Sequence, residues 1–444
     1  MILRIAPRSL ILSLGMLVLT LAVSTACLAK DPATVWNLPE LKKVPQAQWL
    51  PEMKREVKND AGKVVPVITR KVYYSSELYR GKPTRVMAFF SKPEGNGPFP
   101  AMVLVHGGGG TAFSAWTELW AARGYVAIAM DLAGYEITTD SNTEARTHSK
   151  QRLADGGPDQ TEPAKFDDFS VENQEYREHW TWHSIAAIMR AHSLLLSLPY
   201  VDKNRTGATG ISWGGYLTSM VSGIDDRFKV VVPVYGCGHL ELYSFWSKKL
   251  ANMPKDRAQR WIDFFDPASY MGAAKCKVFF LDGTDDLTYP LEAHRASWQL
   301  IPNADMRLEV WMGHSHVGGW RPKEIARYVN WVFEQGPPLP CLEPIQVKCT
   351  GKTITASAKI KYGAKATSAF LFYTTDPGGF NEQHNKWTKR NWKKIPATVS
   401  ADCSTVSAIL PADLPAGDVR FFLEAVDQDG FSATTHFEKK TITP

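Results

Sequence analysis

Gly210-Ile211-Ser212-Trp213-Gly214 sets a serine between two glycines, directly after Arg205-Thr-Gly-Ala-Thr and directly before the helix-like Tyr216-Leu-Thr-Ser-Met-Val. On a tight strand-to-helix turn a serine is held at strained dihedrals. The strand and helix backbones then approach so closely that only small residues fit two positions to either side. Such a serine can attack a carbonyl carbon if three further groups exist: a base, a carboxylate that orients the base, and N–H donors for the oxyanion. A glycine-rich turn that merely contains a serine is the plain alternative, and this short pattern does not separate the two.

The further groups are present in chain order. The apolar run 101–105 leads into His106-Gly107-Gly108-Gly109-Gly110, where missing side chains let backbone N–H groups approach a substrate. A phosphate-binding loop would end in Gly-Lys-Ser/Thr, whereas Thr111-Ala112 follows here. The N–H groups of Gly108 and Gly109, with that of Trp213 just after the serine, are the expected oxyanion donors. After the run 277–281 come Asp282, Asp285 and Asp286; Asp286 is the expected acid and Asp285 its alternative. After the run 307–311 come His314 and His316. One serine does not need both, so His316 is taken as the base and His314 as structural. His183 and His192 fall within a helical pattern and are read as packed or surface residues. The His-x-His pair has no further His or Cys ligands nearby in sequence, so no metal is expected. The chemistry requires no cofactor.

These residues need a scaffold that gathers strand ends. Continuous apolar runs at 101–105, 125–130, 230–234, 277–281 and 307–311 alternate with helix candidates at 112–123, 175–196, 215–223, 291–300 and 322–334. That alternation predicts a mostly parallel sheet with helices on both faces, and functional residues at its C-terminal strand ends. Two strand-like stretches, 67–74 and 84–90, precede it as an antiparallel edge. The polar stretch 134–176 follows a strand ending in Asp131 and is read as a lid, with disorder as the alternative. Gln335-Gly-Pro-Pro-Leu-Pro-Cys341 reads as a linker. Beyond it, alternating stretches and a hairpin around Gln428-Asp-Gly predict a small immunoglobulin-like sandwich over 337–444.

The order Ser212, Asp286, His316 is that of α/β-hydrolases. The span 82–334 resembles the dienelactone-hydrolase-like and acetylxylan-esterase-like branch of that superfamily. The carrying motifs are Leu104-Val-His-Gly-Gly-Gly-Gly-Thr-Ala-Phe, Thr209-Gly-Ile-Ser-Trp-Gly-Gly-Tyr-Leu-Thr, Val234-Tyr-Gly-Cys-Gly and a Gly-x-x-Asp-x-x-x-Pro pattern ending at Pro290. The resemblance implies a doubly wound α/β-hydrolase domain over 30–336, with the acid on Asp286 and the base on His316. Dienelactone hydrolases proper carry a cysteine nucleophile; Ser212 points to ester hydrolysis. The implied activity is that of a serine carboxylesterase deacetylating a polysaccharide such as xylan. One rival is a prolyl-oligopeptidase-type peptidase, for whose N-terminal propeller the stretch before His106 leaves no room. Another is a carbohydrate-binding protein with an inert hydrolase domain, in which Trp387 and Trp392 of the sandwich would stack on sugar; such tryptophans more often pack a core.

Composition marks ordinary globular material, and the N-terminal segment predicts export. The chain has 444 residues and a net charge of +6 without any long Lys/Arg block, which argues against a nucleic-acid partner. Arg4 and Arg8 precede an apolar run over about 10–23 and the small residues 24–29, the layout of a signal peptide at 1–29. The expected location is secreted or periplasmic, with a lipid-modified Cys27 or an uncleaved anchor as alternatives. No later apolar run reaches the roughly 18 residues of a membrane span. Nothing in the sequence sets an oligomeric state. Export permits disulfides, and Cys349 with Cys403 is the expected pair.

Overall fold

The structure is a computed structural model that describes residues 35–138, 149–159, 175–302, 304–351, 353–381 and 386–442. The expected signal peptide, and 139–148 and 160–174 of the expected lid, lie outside the described residues.

Among the described residues the N-terminal, catalytic part contributes twelve strands: β1 (Ala47–Trp49), β2 (Met53–Lys58), β3 (Val64–Ser75), β4 (Arg85–Pro93), β5 (Phe99–Val105), β6 (Val126–Met130), β7 (Tyr135–Ile137), β8 (Lys150–Arg152), β9 (Val201–Ile211), β10 (Val230–Val234), β11 (Lys277–Gly283) and β12 (Asp305–Glu309). β3 and β4 form the expected antiparallel edge, with β1 and β2 added outside β3. From β4 the sheet continues through β6, β5, β9, β10, β11 and β12, and these six run parallel to one another. Every residue of β6 and β10 is buried. A strand buried along its whole length must be covered on both faces, so these strands are continuous apolar runs rather than alternating ones. The crossover helices supply that cover, chiefly Ser114–Ala122, Trp180–Ser197, Trp213–Ile224, Leu291–Leu300 and Lys323–Val332. The architecture is that of an α/β-hydrolase. His183 and His192 are both buried in the helix Trp180–Ser197, and His192 bonds Asp225 and Thr206, each at 2.9 Å.

The C-terminal strands are β13 (Gln346–Thr350), β14 (Thr353–Lys359), β15 (Ser368–Thr374), β16 (Gly379–Asn381), β17 (Lys386–Thr388), β18 (Lys393–Val399), β19 (Thr405–Ile409), β20 (Gly417–Val426), β21 (Ser432–Thr434) and β22 (Glu438–Ile442). β13, β14 and β19 pair in one group; β18, β15, β20 and β22 pair in another, and β18 also touches β19. One apolar cluster takes Ala356 and Val406 from the first group and Leu371, Phe421 and Leu423 from the second. The period of two along β20 then sends Phe422 to the opposite side, where it joins Phe372 and Trp392 in the core of the catalytic part. Trp392 is buried against Phe422, so it packs rather than presenting a ring to solvent. The side chain of Trp387 lies outside the described residues.

β21 pairs with β20 as the expected hairpin and also meets β12 at Met306–Thr434, which joins the C-terminal strands to the edge of the catalytic sheet. Asp305 at the start of β12 accepts from Tyr328, Lys361 and Tyr362 at 2.6, 2.7 and 2.9 Å, tying both parts together.

The expected Cys349–Cys403 disulfide is not formed; Cys237, Cys276, Cys341, Cys349 and Cys403 are all free thiols. Cys349 lies opposite Ile354, whereas Cys403 precedes Thr405, which lies opposite Lys359. The two therefore sit near opposite ends of β14. At roughly 3.3 Å per residue this separation far exceeds the about 7 Å between Cα atoms that a bridge can span.

Candidate active site

Ser212 sits between β9 and the helix Trp213–Ile224 with φ +60° and ψ −119°. The left-handed φ is strained for a residue with a side chain. Backbone bonds hold it there: its N–H donates to Val234 O at 2.9 Å, and its carbonyl accepts from Tyr216 N at 2.9 Å. The flanking glycines are needed for the close approach. A Cβ on Gly210 would lie 2.2 Å from Gly214 O, and one on Gly214 would lie 2.0 Å from Val105 O.

The loop after β5 abuts the serine. A Cβ on Gly107 would lie 3.0 Å from Ser212 Cβ, and one on Gly108 would meet the Trp213 indole at 2.6 Å. Gly110 N–H closes a turn onto Gly107 O at 3.0 Å, and Gly109 takes φ +66°. His106 fixes the loop from behind. Its Nδ1 donates to Gly107 O at 2.7 Å, and its Nε2 accepts the Leu132 N–H at 3.0 Å, where β6 ends. Trp213 is the first residue of its helix, a position for whose N–H the helix supplies no acceptor.

Asp286 follows β11. Its Oδ1 accepts the N–H groups of Thr288 and Tyr289 at 2.8 and 3.0 Å, and its Oδ2 lies 2.6 Å from His314 Nδ1. The carboxylate thus meets His314 and not His316, the reverse of the sequence expectation. His316 Nε2 accepts the Gly107 N–H at 2.9 Å, and its ring packs against Phe113 at 5.1 Å. That lone pair is already engaged, so His316 is poorly placed to take a proton. Ser212 Oγ is hydrogen-bonded to neither imidazole; such bonds often close only when substrate is seated, so the orienting carboxylate is the better guide to the base. Asp285, the alternative acid, has Lys389 Nζ 4.0 Å away and bonds no histidine among the described residues. Burial raises its carboxyl above the usual range.

Tyr235 lies in the Val234-Tyr-Gly-Cys-Gly motif after β10, a pattern that does not by itself mark it as a neighbour of the histidine. It takes φ +64°, stacks its ring on His314 at 4.5 Å and donates its hydroxyl to Gly313 O at 2.8 Å. His294 Nε2 donates to its carbonyl at 2.6 Å, and burial pushes that imidazole down to about 4. Below lies the fully buried Asp282, whose carboxyl is raised by desolvation and by nearby Asp286. Trp246 and Trp180 wall the serine side, with ring centroids 4.8 and 5.9 Å from Trp213. Among the described residues no group of three or more His, Cys, Asp or Glu gathers to hold a metal.

The model of the acetyl xylan esterase (AXE1) family matches residues 30–270, more than half of the chain. The chain belongs to the acetyl xylan esterase family. It is accordingly a serine hydrolase acting on carboxylic esters. Among solved structures it is similar to the acetyl xylan esterase of Paenibacillus sp. R4, at 20% identity over 66% of this chain and 92% of that one, with a TM-score of 0.48. Acetyl xylan esterase 1 of Thermoanaerobacterium sp. JW/SL YS485 gives 17% identity, 69% and 94% coverage, and 0.49. An acylaminoacyl peptidase of Pyrococcus horikoshii gives 16% identity, 61% and 47% coverage, and 0.40. No helix among the described residues is long and apolar enough to cross a membrane.

Proposed function

We propose that this chain is an exported esterase that removes acetyl groups from acetylated xylan through Ser212, His314 and Asp286. The observation that carries this reading is the 2.6 Å contact of Asp286 with His314 at the strand ends that also present Ser212. With Nδ1–H donated to Asp286, Nε2 of His314 is left to take the serine proton. Ser212 Oγ attacks the ester carbonyl, and the N–H groups of Trp213 and Gly108, with Gly109 beside them, receive the oxyanion. His314 then protonates the departing sugar hydroxyl and activates water against the acyl-enzyme. No cofactor enters these steps.

The family match over residues 30–270 supports the substrate. Export rests on the signal-peptide pattern of 1–29, with lipid attachment at Cys27 as the variant form, and the mass of the mature N-terminus distinguishes them. The strands beyond 337 are read as an immunoglobulin-like sandwich that forms a second domain. The test is acetate release from acetylated xylan, beside cleavage of a peptide substrate, by wild type and Ser212→Ala. Release by wild type that falls on the order of 10⁴-fold in the variant is the expected result; peptide cleavage without acetate release would replace the esterase with a peptidase.

A further inference from the structure

A cavity of about 480 Å³ lies between the catalytic part and the C-terminal strands. One wall carries Asp285, Glu292 and Arg295, which follow β11; the other carries Lys389, Arg390 and Arg420. Asp286 belongs to the same wall, so the cavity adjoins the carboxylate that holds His314. Its size is in the range of sites for small organic ligands, about 300–1,000 Å³.

The wall chemistry narrows the ligand. Acids and bases are already matched: Arg390 with Glu292 at 2.7 Å, Arg420 with Glu292 at 3.6 Å, Lys389 with Asp285 at 4.0 Å and Arg295 with Glu438 at 2.9 Å. A simple anion or cation would meet like charge as well as opposite charge along these walls. Hydrogen-bonding capacity is what remains. Both carboxylate oxygens of Asp285, Oε2 of Glu292, Nε of Arg295, and Nε and Nη1 of Arg420 are buried and make no hydrogen bond among the described residues. Buried polar atoms nearly always find a partner, and a concentration of both donors and acceptors beside one cavity calls for a ligand that offers both. A sugar hydroxyl does so, donating to a carboxylate while accepting from a guanidinium.

The rim adds an apolar surface. Tyr243 is 70% exposed and held at φ +58°, and Phe437 lies on the sandwich side. An outward aromatic ring beside polar groups gives a pyranose an apolar face to rest on. The segment that carries Tyr243 continues to Trp246, which packs on Trp213 next to the nucleophile. One loop therefore borders both the cavity and the reacting centre.

We propose that this cavity is a glycan subsite, in which the C-terminal strands and the acid loop together hold a sugar of the xylan backbone beyond the one whose ester is cleaved. The proposal rests on the esterase reading for its substrate, whereas the binding it describes can be measured without catalysis.

The test uses the full chain and the double variant Tyr243→Ala/Lys389→Ala. Both side chains are largely exposed, at 70% and 73%, so thermal melting should remain close to wild type. Calorimetry with unacetylated xylohexaose on the Ser212→Ala protein should give a Kd that rises about tenfold when the double change is added. With acetylated xylohexaose, kcat/KM divided by that for 4-nitrophenyl acetate should fall about tenfold, chiefly through KM. Acetylated xylose, which has no second sugar to place, should show less than a twofold fall. Absence of xylohexaose binding, or an unaltered Kd and chain-length dependence in the variant, would overturn the subsite. Absence of acetate release by wild type, with variant-sensitive binding retained, would overturn the esterase reading alone.

Discussion

Asp286 Oδ2 stands 2.6 Å from His314 Nδ1, while His316, two residues further on, gives its Nε2 to the Gly107 N–H at 2.9 Å. On the proposed reading the two imidazoles serve different ends of one reaction: His314, held by Asp286, moves the proton, and His316 braces the glycine loop.

Replacing these histidines should separate the two roles. His314→Ala is expected to lower kcat for 4-nitrophenyl acetate on the order of 10⁴-fold, as loss of a general base does in an oriented triad. His316→Ala should cost about 10- to 100-fold, because it frees the Gly107 end of the loop that carries the proposed oxyanion donors without removing the proposed base. Steady-state kinetics on both proteins decide, and a reversal of the two magnitudes would return the base to His316.

The elbow should tolerate no side chain on the helix side of the serine. A Cβ on Gly214 would be driven to 2.0 Å from the Val105 carbonyl oxygen and 2.7 Å from that of His106. Gly214→Ala is expected to lose about 3 kcal/mol or more in urea unfolding. Gly109→Ala meets no atom within 4 Å and bears only its φ of +66°, so about 1 to 2 kcal/mol is expected. Similar losses in the two would show that the elbow is not tightly packed.

Stability should fall in mild acid. Burial pushes His294 from 6.5 down to about 4 and His183 likewise to about 4. A lowered imidazole means that the folded state prefers the neutral ring. The stabilisation is therefore complete above the unfolded value near 6.5 and is lost as pH drops through about 4. For His294 the full effect is on the order of 3 kcal/mol. Melting temperatures followed from pH 7 to 4 should decline, and His294→Gln should flatten that decline. An equal slope in the variant would remove His294 from the account.

Reduction should leave the mature mass unaltered. Five free thiols imply that Cys349 and Cys403 both alkylate in denaturant without prior reduction. A pair protected until reductant is added would restore the bridge.

How legible the molecule is from its sequence differs by residue. Ser212 and its glycines are readable because the constraint is steric and local. The acid loop is readable because it follows an unbroken apolar strand. The choice of imidazole is harder, since it depends on where the next helix begins. Ser315 caps that helix by accepting the Gly318 N–H at 2.9 Å, which makes His316 its first residue and turns it towards the glycine loop. A serine ahead of His-Val-Gly-Gly was the available signal. The helix Lys255–Phe265 escaped notice because few of its residues are buried, chiefly Trp261 and Phe265. Among the C-terminal strands, β13 is almost wholly exposed, so its alternation is faint.

The bridge from Met306 to Thr434, reinforced by Leu308 N–H donating to Thr434 Oγ1 at 2.9 Å, has a consequence for solubility. β12 is the last strand of the catalytic sheet, and β21 lies against its outer side. A chain cut after 336 would lose that cover and present unpaired backbone groups as a template for neighbouring molecules. The C-terminal strands thus act as a shield against self-association, whatever they contribute to the choice of sugar.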